Sequence, residues 1–137
     1  MNLEKCIKKK LVKKIKIDKK RANSLILTAN SKQITESKIP FTEKDCIAKI
    51  SLRYEVLREL LEALAILNSY KIYNHECYSA FLKQVLNKHT LAKQFDKVRM
   101  IRNNINYYGE SYSKQESSII LKNISIAIKK VKTLLNK

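Results

Sequence analysis

The chain contains very few of the residues that build turns. It has one glycine, one proline and no tryptophan among 137 residues. Folds with many strands need frequent tight turns, and glycine and proline supply many of the backbone conformations that those turns require. This scarcity argues against a many-stranded β fold and favours helices that are joined by short links.

The chain also lacks paired cysteines and the common catalytic motifs. Cys6, Cys46 and Cys77 are odd in number, far apart and never in a CxxC pair. This pattern argues against a disulfide framework or a zinc site, and it favours a reducing, cytoplasmic location. No HExxH, GxxxxGK or GxSxG pattern occurs, so zinc-protease, nucleotide-loop and serine-hydrolase chemistries have no support. We expect no cofactor and no metal.

Long apolar runs are missing as well. Lys122 and Asn123 interrupt the best candidate, which falls short of the ~18 apolar residues that a membrane span needs. The N-terminus is charged but lacks the apolar segment of a signal peptide. A weaker interpretation makes residues 3–15 a membrane-surface helix, but the usual Trp or Phe anchors are absent there.

Positive charge, in contrast, is abundant. The 29 basic and 12 acidic residues give a formal net charge of +17, and ten of the first 21 residues are Lys or Arg. Clustered basic side chains favour a polyanionic partner such as RNA. However, 24 of the 29 basic residues are lysine, and codon usage in an A/T-rich genome is an alternative source of the same composition.

The hydrophobic pattern predicts an all-α fold, a four- to five-helix up-and-down bundle. We expect one domain over residues 1–137, with residues 1–17 as a basic N-terminal helix or arm and residues 18–137 as the bundle. The apolar spacing of residues 3–15 is helical. The predicted helix-end signals are the caps Asp18, Thr42 with Asp45, Asn74, and Ser113 with Glu116, and the terminator Gly109.

One polar stripe is a candidate for function. On a helix, its members fall within about a quarter-turn beside the apolar face, and they are Arg99, Arg102, Asn103 and Asn106. Arg102 should therefore lie near the core boundary, either at a groove or subunit interface or on an ordinary solvated flank. Tyrosines 70, 73, 107, 108 and 112 could stack on bases, or could simply be half-buried in a bundle.

Two further sets of residues have both a functional and a structural interpretation. Glu55, Glu59 and Glu62 share a helix face and could bind a metal or act as acid and base. Ion pairs with nearby arginines are the favoured interpretation, and Arg102 is one plausible cross-bundle partner. His75 stands at a helix start, where a single histidine is usually a capping or packing residue, and His89 is isolated in sequence.

Several segments have a pattern found in a known family, and they are Arg53–Ala63, Tyr70–Glu76 and Arg102–Gly109, together with Cys6 and the run Lys20–Ala29. Together these segments resemble archaeal members of the HEPN superfamily. The resemblance implies a small helical bundle that usually forms a homodimer. It also implies a metal-independent ribonuclease, often a toxin paired with a nucleotidyltransferase-type antitoxin, or else a nucleotide-binding or non-catalytic module.

The resemblance also assigns roles to residues. The active family pattern is an arginine, a polar residue and, a few residues later, a histidine, and the arginine and histidine of two subunits meet in one cleft. Arg102 and Asn103 match its first two positions, whereas Tyr107 or Tyr108 stands where the histidine is expected. A phenol ionises only near pH ~10 and is a poor general base, so a degenerate or altered site is implied. We expect Arg102, Asn103 and Tyr107 at the catalytic position, and nucleic-acid contacts from Arg99, Asn106, Tyr108, Lys8, Lys9 and Lys13.

Two hypotheses follow for the function. The first is an HEPN-like protein that binds RNA or a nucleotide and has an altered ribonuclease site. The second is a non-catalytic helical module that dimerises or docks on a nucleotidyltransferase-type protein, with Arg102 in a structural ion pair. The location of Arg102, in an open positive groove or against a glutamate, is the observation that separates them.

Overall fold

Six helices and two short strands make up the chain. The computed structural model describes residues 1–137 and has the elements α1 (Leu3–Lys8), β1 (Val12–Lys14), α2 (Lys19–Ser37), α3 (Cys46–Leu67), β2 (Tyr70–Ile72), α4 (Glu76–Gln84), α5 (His89–Tyr108) and α6 (Lys114–Leu135). The predicted all-α bundle is confirmed, with α2, α3, α5 and α6 as its four long helices. None of the helices has a stretch apolar and long enough to cross a bilayer.

Helix α3 lies at the centre of the bundle. It packs against α2, α5 and α6, and 14 of its 22 residues are buried. A helix that is apolar on nearly every side must be surrounded by other elements, and α3 meets that condition. Tyr54, on α3, is fully buried in the main core and lies close to the candidate site described below.

Three of the predicted helix ends are confirmed, whereas the predicted caps Thr42 and Asn74 are wrong, because α3 begins after Asp45 and α4 after His75, each without a side-chain cap. Asp18 accepts a bond from the Arg21 N–H before α2, and Ser113 and Glu116 form a complete capping box before α6. Gly109 ends α5 with a left-handed φ of 62°, which glycine adopts without steric cost. At these three helix ends, the local sequence therefore predicts the boundary.

The predicted helix over residues 3–15 is wrong beyond Lys8. Lys10 has a positive φ of 61°, which breaks the helix, and the chain then forms β1. This strand pairs antiparallel with β2, so that Val12 lies opposite Ile72 and Lys13 opposite Lys71. Cys6 and Val12 are buried in the main core, and the segment is therefore packed against the bundle.

The expectation that the cysteines form no disulfide is also wrong. Cys6 of α1 and Cys77 of α4 form a disulfide, with Cα atoms 6.1 Å apart and a separation of 71 positions in sequence. Cys46 is free and buried. Spacing along the chain could not reveal this pair, because α1 packs on α4 only in the folded bundle. The cysteine argument for a reducing compartment is therefore removed.

The ion-pair interpretation of the α3 glutamates is confirmed. Glu59 pairs with Lys32 of α2, while Glu55 and Glu62 both pair with Arg58 at 2.8 Å. Arg58 holds the pKa of both carboxyls below the usual range, against the opposing effect of burial. The Lys32 contact joins α3 to α2, whereas the Arg58 pairs lie within α3, and all three carboxylates are used structurally.

Candidate functional site

A polar groove lies between the start of α4 and the C-terminal half of α5. Its volume is about 390 Å³. The residues that line it are Tyr73, Asn74, His75, Glu76, Arg99, Arg102, Asn103 and Tyr107. Two guanidinium groups against one carboxylate give the groove a positive balance, and only the two tyrosines are hydrophobic.

Arg102 is unpaired in this groove. Its side chain forms no ion pair and no hydrogen bond within the protein, in contrast with the glutamate-bound Arg53 and Arg58. The guanidinium carbon lies 5.5 Å from the centre of the Tyr54 ring, a distance at which a cation is attracted to the face of an aromatic ring. The half-buried arginine is thus held by a ring, and its donors stay available to an anion.

His75 shares the same buried tyrosine. The Tyr54 hydroxyl and His75 Nδ1 are 2.9 Å apart, and the two ring centres are 5.9 Å apart. Asn74 fixes the backbone at this point because its side chain accepts a bond from the Glu76 N–H at 2.9 Å. Tyr54 therefore links the histidine on one wall of the groove to the arginine on the other.

The environment of His75 favours its neutral form. Partial burial lowers the pKa of His75 from its usual value near 6.5, and the charges of Arg58, Arg102 and Arg99 lower it further against the opposing effect of Glu55. Desolvation and nearby positive charge both disfavour the imidazolium ion. At neutral pH the groove therefore contains a neutral imidazole beside guanidinium groups.

Arg99 lies one helical turn before Arg102. Its Nε atom is 3.5 Å from Asp96 Oδ1, an ion pair without the geometry of a hydrogen bond. Asp96 also accepts a bond from the Ser79 hydroxyl at 2.8 Å. Arg99 is therefore anchored by a carboxylate at one side while it lines the groove.

The structure brings together some of the predicted site residues and separates others. Arg99, Arg102 and Asn103 line one groove, as the helical spacing predicted, and Tyr107 lines it too. Asn106 and Tyr108 do not line it, and Tyr108 is 79% exposed. The interpretation of Arg102 as a cross-bundle partner of a glutamate is wrong.

The basic N-terminal residues lie outside the groove but adjoin its Tyr73 wall. Lys8, Lys9 and Lys13 are exposed. Leu11 accepts a backbone bond from the Tyr73 N–H at 2.8 Å, and Lys13 is opposite Lys71, whose amino group lies over the Tyr73 ring. The strand pairing thus places positive charge next to the groove.

His75 is the residue that the sequence argument missed. It was interpreted as a capping or packing residue, because it is 27 positions before Arg102 and no local motif connects the two. The available signal was the Tyr70–Glu76 segment, which carries part of the HEPN resemblance and contains one of only two histidines. Comparison of the chain with family models, curated proteins and solved structures finds no match.

Proposed function

We propose that this protein binds single-stranded RNA or a nucleotide in the His75–Arg102 groove, as an HEPN-like protein with an altered histidine position. The observation that carries the proposal is the unpaired Arg102 in one groove with a neutral histidine. Arg102 and Arg99 supply guanidinium donors for a phosphate, and Asn103 adds an amide. Tyr107, 71% exposed at the groove, offers a face for base stacking.

The same groove contains groups that metal-independent RNA cleavage would use. In that reaction the ribose 2′-hydroxyl attacks the adjacent phosphorus and gives its proton to solvent water. The bond from phosphorus to the 5′-oxygen of the next nucleotide breaks, and that oxygen takes up a proton from solvent. Arg102 would stabilise the charge that develops on the phosphoryl oxygens, and His75 would hydrogen-bond to those oxygens. His75 then takes the place of the histidine that Tyr107 or Tyr108 replaces in α5.

The test combines RNA binding with RNA cleavage. Purified full-length protein is titrated with an end-labelled oligouridylate, and cleavage is followed with chelator present. We expect Arg102→Ala and His75→Ala to weaken binding and abolish any cleavage. Lys122→Ala is the matched control, because Lys122 is exposed on α6 outside the groove. Binding that is unchanged in Arg102→Ala would refute the phosphate role.

A second candidate function is a non-catalytic module that dimerises or docks on a nucleotidyltransferase-type partner. Leu27 and Ile34 favour it, because they are 70% and 59% exposed and seven residues apart on α2, which puts them on one face. The exposed residues between them are uncharged, which is unusual for a chain of such high net charge. Leu27→Glu should disrupt assembly in sedimentation experiments while RNA binding persists.

A cytoplasmic location is part of the same proposal. Thiols in that compartment are kept mostly reduced, whereas Cys6 and Cys77 are joined in this structure. Acid quenching of cells followed by thiol labelling measures the fraction of these cysteines that is bonded. A fully bonded population would place the protein in an oxidising compartment instead.

A further inference from the structure

The Tyr54 hydroxyl has a single hydrogen-bond partner. Tyr54 is fully buried, its ring stacks on Phe95 with centres 6.0 Å apart, and its only bond is the 2.9 Å contact to His75 Nδ1. Burial also raises the pKa of Tyr54 above its usual value, so the hydroxyl keeps its proton. A buried hydroxyl proton without an acceptor is costly.

This isolation determines which nitrogen of His75 carries the proton. The Tyr54 proton can be accepted only by Nδ1, and Nδ1 must then be unprotonated. A neutral imidazole has one N–H, which is therefore on Nε2. Nε2 has no partner within the protein, and His75 lines the groove.

We propose that Tyr54 is a positioning residue that holds His75 as the neutral Nε2–H tautomer, so that the histidine offers the groove a hydrogen-bond donor. The choice of ligand rests on the proposed function. The tautomer adds which atom of His75 would contact that ligand. His75 Nε2–H, the two guanidinium groups and the Asn103 amide together present donors to one space. Such a set fits the phosphodiester oxygens, which are acceptors only.

The charged groups around His75 agree with this arrangement. Arg58 and Glu55 face it from α3, and Arg99 and Arg102 from α5. On α4, the Tyr78 ring lies 6.4 Å away and Glu76 lines the same groove. Protonation of Nδ1 would add a third positive charge to the groove and leave the Tyr54 proton without an acceptor. His75 can act as a base towards the groove only if its proton moves from Nε2 to Nδ1. That move would also leave the Tyr54 proton without an acceptor.

The ring and the hydroxyl of Tyr54 have separable roles. The ring supports Arg102 and packs on Phe95, whereas the hydroxyl acts on His75. Tyr54→Phe removes only the hydroxyl. Tyr78→Phe is its matched control, since Tyr78 is also a buried phenol near His75 but makes no hydrogen bond to it.

The decisive experiment observes the imidazole nitrogens by long-range proton–nitrogen NMR in the full-length, ligand-free protein. The chain has two histidines, so His89→Gln assigns the remaining signals to His75. We expect the proton on Nε2 and an Nδ1 resonance typical of a hydrogen-bond acceptor. In Tyr54→Phe, the Nδ1 resonance should move to that of a free acceptor, and the titration midpoint of His75 should rise.

Binding of a decauridylate to the same variants completes the test. Tyr54→Phe should weaken it about threefold, which corresponds to a modest loss of orientation, and Tyr78→Phe should leave it unchanged. A wild-type proton on Nδ1, or identical His75 signals in wild type and Tyr54→Phe, would overturn the proposal. If the nitrogen signals behave as expected but decauridylate does not bind the wild type, the tautomer assignment stands and the RNA proposal fails.

Discussion

Arg58 and Arg102 lie on neighbouring helices near the same histidine, yet they have opposite environments. Arg58 is bound by two carboxylates, Glu55 and Glu62, whereas Arg102 contacts only the face of Tyr54. A paired arginine has its donors occupied and stabilises the fold. An unpaired arginine in a groove keeps its donors available, and pairing therefore separates an arginine that stabilises the fold from one that is free to bind an anion.

The largest expected effect is on stability. Arg58→Met should lower the free energy of unfolding by about 2–3 kcal/mol, because Glu55 loses its ion-pair partner and Glu62 keeps only Lys71 and Arg21. Arg102→Met should change it by less than about 0.5 kcal/mol. Urea denaturation followed by circular dichroism measures both. Equal losses of stability in the two variants would contradict the division into a structural Arg58 and an unpaired Arg102.

For ligand binding, in contrast, the Arg102 variant should show the larger effect. Arg102→Met should weaken oligouridylate binding at least tenfold, about 1.4 kcal/mol, because charged hydrogen bonds to phosphate are lost. Arg58→Met, measured at a temperature where it stays folded, should bind within about twofold of wild type. Fluorescence anisotropy gives both values. A stronger effect from Arg58→Met would mean that the groove depends on the ion pairs of α3.

The two environments should also affect the free energy of unfolding in different ranges of pH. Because the pKa of His75 is lowered in the folded state, the unfolded chain binds the proton more readily, and stability falls as the pH drops below about 6.5. The slope is at most about 1.4 kcal/mol per pH unit. His75→Gln should remove this loss, and His89→Gln, at an exposed position, is the control.

The carboxylates paired with Arg58 act at lower pH. Glu55 and Glu62 have a folded-state pKa below their usual value of 4.5, so their contribution to stability is present above that value and is lost as the pH falls through the lowered pKa. Denaturation curves at pH 7, 5.5 and 4 separate the two ranges. A loss of stability between pH 7 and 5.5 that persists in His75→Gln would contradict the assignment to this histidine.

The smallest effect is on the salt dependence of binding. A phosphate contact contributes about 0.7 to the slope of log affinity against log salt for single strands. Arg102→Met should therefore flatten the slope by about that amount, whereas Arg58→Met should leave it unchanged. Anisotropy titrations from 50 to 300 mM salt measure the slope. An unchanged slope in Arg102→Met would exclude a phosphate contact by this arginine.

The parts of the structure that depend on local sequence were predictable. Asp18, Gly109 and the Ser113–Glu116 pair act within one turn of a helix end, so their residue types specify the caps. The spacing of Arg99, Arg102 and Asn103 likewise placed them on one face, and they line one groove.

The parts that depend on contacts between distant segments were not predictable in the same way. β1 forms because Val12 pairs with Ile72 of β2, and the disulfide forms because α1 packs on α4. His75 belongs to the site because Tyr54 connects it across the core. Helical periodicity describes one segment at a time and cannot reveal contacts between distant segments.

The disulfide divides the molecule into a closed covalent ring and an open tail. The ring joins Cys6 to Cys77 and encloses α2 and α3, so a protease cut between them leaves the fragments connected. The His75 wall of the groove lies inside this ring, whereas Arg99 and Arg102 lie in the tail. If the chain were pulled from its two ends, the ring could not be extended, and the tail would carry the arginines away from the histidine. Reduction would remove that asymmetry together with about 4 kcal/mol of stability, because the disulfide spans 71 positions of the chain.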